Sequence, residues 1–191
     1  MGFAPDNATP LDERLAKIKL LVLDVDGVLT DGRVYYDATE SSDGSATSTV
    51  ELQAFHARDG LGIHLLQNAG VAVAWISGRG CEATKRRAKE LGIEELHLYA
   101  RGGKYPLLVE IQERLQVSQQ ETAAMGDDIV DLALARGAEI LACPCDAHGE
   151  LIRRAEFVAD SRGGRGAVRD FCDAILRAKG AWEEALLRFE S

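Results

Sequence analysis

No stretch of this chain approaches the ~20 consecutive apolar residues of a membrane-spanning helix. Met1 to Pro10 also lack the basic-then-apolar order of a signal peptide. The expectation is a cytoplasmic protein with no membrane partner. Basic charge is in deficit: 22 Lys and Arg stand against 31 Asp and Glu, a formal net charge of −9. That balance argues against nucleic acid as a partner, which needs basic surface. It leaves room for a small anionic ligand, because a few local Arg and Lys override the global sign. Cysteine is sparse and wrongly spaced for zinc: Cys81, Cys143, Cys145 and Cys172 include no Cys-x-x-Cys pair and no nearby paired histidines. Cys143-Pro144-Cys145 as a redox pair is a minor reading beside small buried thiols. What remains, 46% apolar and 28% charged residues over 191 positions, suits one globular domain with a sizeable core.

The most informative stretch runs from Asp24 to Gly32, Asp-Val-Asp-Gly-Val-Leu-Thr-Asp-Gly. Leu20-Leu21-Val22-Leu23 leads into it and reads as a buried parallel strand, with Gly27 marking the turn. Two acids at the exit of a buried strand are costly unless a cation or a reaction needs them. An acidic turn explains Asp31-Gly32 well. It explains Asp24, at the very end of the strand, poorly.

The rest of the chain alternates between strands and helices. Residues 1–10 read as a flexible leader and Leu11 to Lys19 as a short helix before strand Leu20–Asp24. Residues 33–55 hold two β-prone runs around a polar tip at 37–49, which suggests a hairpin. Asp59-Gly60 opens a helix over Leu61–Asn68, ended by Gly70. Strands follow at Val71–Ile76, Glu95–Tyr99, Thr122–Met125, Ala138–Ala142 and Phe157–Ala159. Helices fall at Glu82–Leu91, Tyr105–Leu115, Ile129–Arg136 and Arg169–Lys179. Residues 161–168 form a glycine-rich basic loop, and 181–191 a C-terminal tail. This order predicts an α/β fold, a three-layer sandwich around a mostly parallel, Rossmann-like sheet, as a single domain over residues 11–180.

Successive strands each end in a polar turn. Asp24 and Asp26 follow the first strand, and Ser77-Gly78-Arg79 the second. Lys104 lies after the third, and Asp127-Asp128 after the fourth with Asp131 one helical turn on. In a parallel sheet these loops share one edge. Oxygen donors without His or Cys favour Mg²⁺. Mg²⁺ beside a carboxylate, a hydroxyl and a lysine suits phosphoryl transfer, with one carboxylate as nucleophile and another moving protons. Taken singly, Ser77 reads as a turn or N-cap residue, Lys104 as a solvated lysine and Asp127-Asp128 as a helix cap. Their joint placement lifts each one.

These four segments resemble the haloacid dehalogenase superfamily of phosphohydrolases. The resemblance implies a capless fold of that type with a hairpin flap at 33–55. It makes Asp24 the nucleophile and Asp26 the general acid/base. Asp24, the main-chain oxygen of Asp26, and Asp127 would hold Mg²⁺, with Asp128 supporting them. Ser77 and Lys104 would bind the phosphoryl group. Finer features, Arg58-Asp59-Gly60-Leu61-Gly62, Arg86-Arg87-Ala88 and Gly163-Gly164-Arg165-Gly166, resemble the subfamily that dephosphorylates 3-deoxy-D-manno-octulosonate 8-phosphate on the way to lipopolysaccharide. That resemblance covers about residues 18–178. It implies substrate contacts from Asp26, His56, Ala57, Arg58, Asp59, Gly60, His64, Arg79, Arg87 and Lys104. It also implies a homotetramer whose neighbouring subunits cover each active site. His56 stands where the subfamily has Asn, the hairpin tip is longer, and 99–103 departs from the usual pattern. A nine-carbon sugar-acid phosphatase and a broader small-phosphate hydrolase remain alternatives. A non-catalytic oligomerisation or regulatory module of the same fold would be expected to have lost Asp24, Asp26 or Lys104.

Overall fold

The computed structural model describes residues 9–36, 51–100 and 103–189. Residues 1–8 of the expected leader, the hairpin tip at 37–49, Arg101-Gly102 and the last two residues of the expected tail lie outside the described residues.

Helix α1 (Leu11–Leu15) precedes strand β1 (Leu20–Leu23), and β2 (Tyr35–Tyr36) and β3 (Glu51–Leu52) follow. Next come α2 (Ala57–Asn68), β4 (Ala72–Ile76), α3 (Glu82–Glu90), β5 (Glu95–His97), α4 (Lys104–Leu115) and β6 (Thr122–Met125). A 3₁₀ helix (Ile129–Arg136) leads to β7 (Ile140–Cys143), α5 (Gly149–Ile152), β8 (Phe157–Val158), α6 (Ala167–Ala178) and α7 (Trp182–Leu187). The main sheet is six-stranded in the order β5-β4-β1-β6-β7-β8, with every pairing parallel. Strands β2 and β3 pair antiparallel, Tyr35 opposite Leu52 and Tyr36 opposite Glu51.

All four β1 side chains are buried, as a strand covered on both faces requires. Leu21 and Leu23 pack with Ile63 and Leu66 of α2 and Phe171 and Ile175 of α6. Leu20 and Val22 point the other way, toward Leu108 and Ile111 of α4 and toward Leu134. Each such side chain contributes about 1.5–3 kcal/mol relative to exposure. The layers are therefore helix, sheet, helix, and the carboxyl ends of β1, β4 and β6 share one edge.

Several boundaries differ from the sequence reading. Helix α2 starts four residues earlier than Leu61, because His56 caps it: its ring Nδ1 accepts a hydrogen bond from Arg58 N. Asp59-Gly60 therefore lies inside the first turn. Helix α4 takes in Lys104, with Pro106 in its first turn, where the missing amide costs no intrahelical bond. Residues 129–136 wind as a 3₁₀ helix, and the Asp128 and Asp131 carboxylates cap its first turn reciprocally. The segment read as a tail carries α7, where Trp182 lies beneath the Arg177 guanidinium at 4.1 Å. Cys143 is buried in β7, and burial pushes its thiol up to about 11. That is the opposite of what a redox thiolate needs.

Candidate active site

The site begins where β1 ends. Asp24 N still donates to Met125 O of β6 at 3.0 Å, so Asp24 is locked to the sheet with its side chain at the edge. The chain then turns at Gly27, whose φ is +93°. A Cβ there would sit 2.0 Å from Asp127 Oδ2. Glycine is what lets the loop after β1 and the loop after β6 approach each other. The buried Thr30 hydroxyl closes the turn by donating to Val25 O at 3.3 Å and accepting from Gly32 N at 3.3 Å.

Lys104, at the start of α4, sends a buried ammonium between two buried carboxylates. It donates to Asp24 Oδ1 at 2.6 Å and to Asp131 Oδ1 at 2.5 Å. Asp131 is fully buried, and its other oxygen accepts from Asp127 N at 3.0 Å and Asp128 N at 3.3 Å. Ligand atoms of Asp24, Asp127 and Asp131 all lie within 4.8 Å of one another. One ammonium against three carboxylates leaves two negative charges in excess. Burial, with Asp24 and Asp131 alongside, pushes the Asp127 carboxyl up to about 8. Burial likewise lifts the Asp24 carboxyl above its ordinary range, against the pull of Lys104. Burial lowers Lys104, but Asp24 and Asp131 outweigh it and leave the ammonium raised. An excess of two charges among hard oxygen donors fits a divalent cation such as Mg²⁺.

Asp26 faces the opposite wall. Its Oδ2 accepts from Ser77 Oγ at 3.4 Å and lies 3.7 Å from Arg79 Nε. Its Oδ1 accepts from Gln53 Nε2 at 3.0 Å. Arg79 also pairs with Glu51 at 2.5 Å. The cleft between the two walls has a volume of about 510 Å³, and Asp24, Asp26, Ser77, Arg79, Lys104, Asp127 and Asp128 line it. Asp128 is exposed and caps the 3₁₀ helix by accepting from Ile129 N at 2.7 Å.

Other sequence-selected residues sit elsewhere in the single chain. His56 and Arg58 line a separate cleft of about 400 Å³ with Asp31 and Arg165. Ala57 is exposed beside them, and His64 is exposed further along α2. Asp59 is buried and accepts from Arg169 N at 2.9 Å. It caps α6 from another helix, since Gly166 offers no side chain. The Arg87 guanidinium lies over Gly60, where a Cβ would meet Nη2 at 2.3 Å. The glycine-rich loop packs on its own chain, with Gly164 N donating to Val28 O at 2.8 Å.

Sequence reasoning assigned no role to Asp131, Gln53 or Glu51. Asp131 had a signal in its position one turn past Asp127. Glu51 and Gln53 had only strand alternation, which places them on one face.

No family model matches the chain. The chain is 37% identical over 179 residues to the 3-deoxy-D-manno-octulosonate 8-phosphate phosphatase of Salmonella typhi, covering 93% of this chain and 89% of that protein. Its fold is similar to that of the Moraxella catarrhalis phosphatase of the same name in complex with magnesium, phosphate and KDO. There the TM-score is 0.85 and the identity 31%, over 93% of this chain and 97% of that one. The cobalt-bound Haemophilus influenzae phosphatase gives a TM-score of 0.81 at 35% identity, over 91% and 99% of the two chains.

Proposed function

The chain belongs to the 3-deoxy-D-manno-octulosonate 8-phosphate phosphatase family of the haloacid dehalogenase superfamily, and we propose that it is a Mg²⁺-dependent phosphatase that hydrolyses this sugar-acid phosphate through an aspartyl-phosphate. The observation that carries the reading is the Asp24–Lys104 pair at 2.6 Å in the same cleft as Asp26, Ser77 and Asp127.

Mg²⁺ would be held by Asp24, Asp127 and the main-chain oxygen of Asp26, where it offsets negative charge on the transferring phosphoryl group. Asp24 attacks phosphorus while the bond to the sugar oxygen breaks, and Asp26 gives that oxygen its proton. Asp26 then takes a proton from the water that attacks the aspartyl-phosphate. The Asp24–phosphorus bond breaks, inorganic phosphate leaves, and Asp24 is again a carboxylate while Asp26 again carries its proton. Ser77, by turning its hydroxyl from Asp26, and Lys104 hold the phosphoryl oxygens. Arg79 offers the sugar carboxylate a guanidinium fork.

His56 to Gly60, His64 and Arg87 do not line their own chain's cleft. For the residues that reach solvent, His56, Ala57, Arg58, His64 and Arg87, that placement supports a homotetramer in which a neighbouring subunit brings such residues to each site, whereas Asp59 and Gly60 are buried within their own chain. A cytoplasmic role in lipopolysaccharide biosynthesis fits the substrate. Among the described residues no helix is long and apolar enough to cross a membrane.

Purified protein with Mg²⁺ releases phosphate from 3-deoxy-D-manno-octulosonate 8-phosphate and stops when EDTA is added. Asp24→Asn lowers kcat by at least about 10³-fold. Comparable kcat/KM on nine-carbon sugar-acid phosphates and simple sugar phosphates would remove the substrate assignment. Absence of release from every such ester, and from an aryl phosphate, would remove the phosphatase reading itself.

A further inference from the structure

We infer that Gln53 is a positioning residue for Asp26 and that Thr84 holds the far end of its amide in place. The inference rests on the reading of Asp26 as the group that moves the proton. Strand alternation puts Glu51, Gln53 and Phe55 on one face of the run leaving β3, and Leu52, 60% exposed, on the other. Each inward residue has a distinct partner. Glu51 holds Arg79 at 2.5 Å, Gln53 donates to Asp26 at 3.0 Å, and Phe55 stacks on the buried Trp75 with ring centroids 6.4 Å apart. The aromatic pair anchors the segment to the core, and the two polar residues thereby become a wall of the site.

A primary amide has two faces, and only one serves here. Asp26, when ionised, accepts hydrogen bonds and donates none. The buried Thr84 hydroxyl on α3 donates to Gln53 Oε1 at 2.5 Å. Nε2 faces Asp26 Oδ1, and this contact fixes the sense of the amide, since the Thr84 hydroxyl could pair with either end of it. The flipped amide would set two acceptors against each other. Oδ1 is thus held by a donor, while Oδ2 looks toward Ser77 at 3.4 Å and Arg79 at 3.7 Å, both lining the cleft. Gln53 therefore fixes which oxygen of Asp26 is presented to the leaving group. Proton delivery is worth about 10²–10⁴-fold in rate, and misdirecting the carboxyl forfeits part of that.

The test exploits leaving-group demand. An alkyl phosphate needs its leaving oxygen protonated, whereas p-nitrophenyl phosphate leaves well without help. In Gln53→Leu, the ratio of kcat/KM on the sugar phosphate to kcat/KM on p-nitrophenyl phosphate falls about ten-fold. Thr84→Val lowers the same ratio by a smaller factor, and the double variant is no worse than Gln53→Leu, as coupled partners require. A purely structural role would lower both substrates together and leave the ratio unchanged, which overturns the inference. Asp26→Asn separates the two readings. If it lowers the ratio and neither Gln53→Leu nor Thr84→Val does, the inference fails alone. If Asp26→Asn leaves the ratio intact, the assignment of Asp26 falls and the inference with it. Should Gln53→Leu fold poorly, Thr84→Val carries the ratio measurement.

Discussion

Asp131 touches no solvent, yet it decides where two other functional groups stand. Its Oδ1 accepts from Lys104, and its Oδ2 accepts from the amides of Asp127 and Asp128. Asn at this position offers one acceptor oxygen instead of two, so a buried donor loses its partner, at a cost of about 1–3 kcal/mol. Asp131→Asn in saturating Mg²⁺ should therefore lower Tm by several degrees, about 2–4 °C for each kcal/mol in a chain of this size. It should also raise the Mg²⁺ concentration needed for half-maximal activity, since Asp127 loses the anchor on its amide. In EDTA at pH 8 the Tm loss should be smaller, because the substitution also removes one excess negative charge. An unchanged Tm in Mg²⁺ would show that Asp131 is not holding the loop. Asp24, Asp26, Ser77 and Asp127 are legible as a group because each follows a buried apolar strand, and Lys104, after the short half-buried β5, is legible only by its place in that series. The role of Asp131 depends on 3₁₀ winding, which brings positions 128 and 131 into register and which the residue pattern does not distinguish from an α-helix. Gln53 is an uncharged amide in a two-sided strand, and only its contacts single it out.

Among the elements, the loop after β1 is held from beneath by the glycine-rich loop that precedes α6. Gly164 has φ of +63°, and a Cβ there would come within 2.4 Å of the Thr30 carbonyl carbon and 2.5 Å of Asp31 N. Both obstacles are backbone, so no side chain can swing aside. Gly164→Ala should cost about 1–3 kcal/mol, seen as a lower denaturant midpoint at constant m-value. It should also lower kcat, because Asp26 sits on the displaced loop. A loss of stability with kcat intact would mean that the two loops are coupled in folding but not in function. The glycine-rich loop was visible as composition, while its partner was not: residues 28 and 164 are joined only by tertiary contact. For the same reason α2 was begun too late, since a histidine is an unusual cap. Helix α7 is hard to read from the sequence because Gly180 ends the preceding pattern and only Ala185 of α7 is buried, with Trp182 partly buried on the core beneath Arg177.

At the scale of the whole molecule, the sheet stacks apolar strands so that their carboxyl ends crowd acidic groups against one lysine. The fold tolerates this crowding best when protons or a cation occupy the site. Asp127 has its carboxyl pushed up to about 8 in the folded chain against an ordinary value of 3.8, and Asp24 is raised as well. A raised carboxyl means that the folded state binds more protons than the unfolded state between those limits. Stability of the metal-free protein therefore falls as pH rises through that window. Mg²⁺ acts in the opposite sense, since it binds the ionised carboxylates and displaces their protons. At a hundredfold excess over its dissociation constant it contributes about 2.7 kcal/mol, or roughly 5–10 °C in Tm for a chain of this size. The difference in Tm between saturating Mg²⁺ and EDTA, measured at fixed ionic strength, should thus grow from pH 6 to pH 8. Taking the difference cancels histidines and other groups that titrate alike with and without the metal. A Mg²⁺-induced shift that stayed level or shrank over this range would show that the acidic cluster is already ionised and compensated from within the chain. The excess charge could then no longer be the reason for a divalent cation at the end of β1.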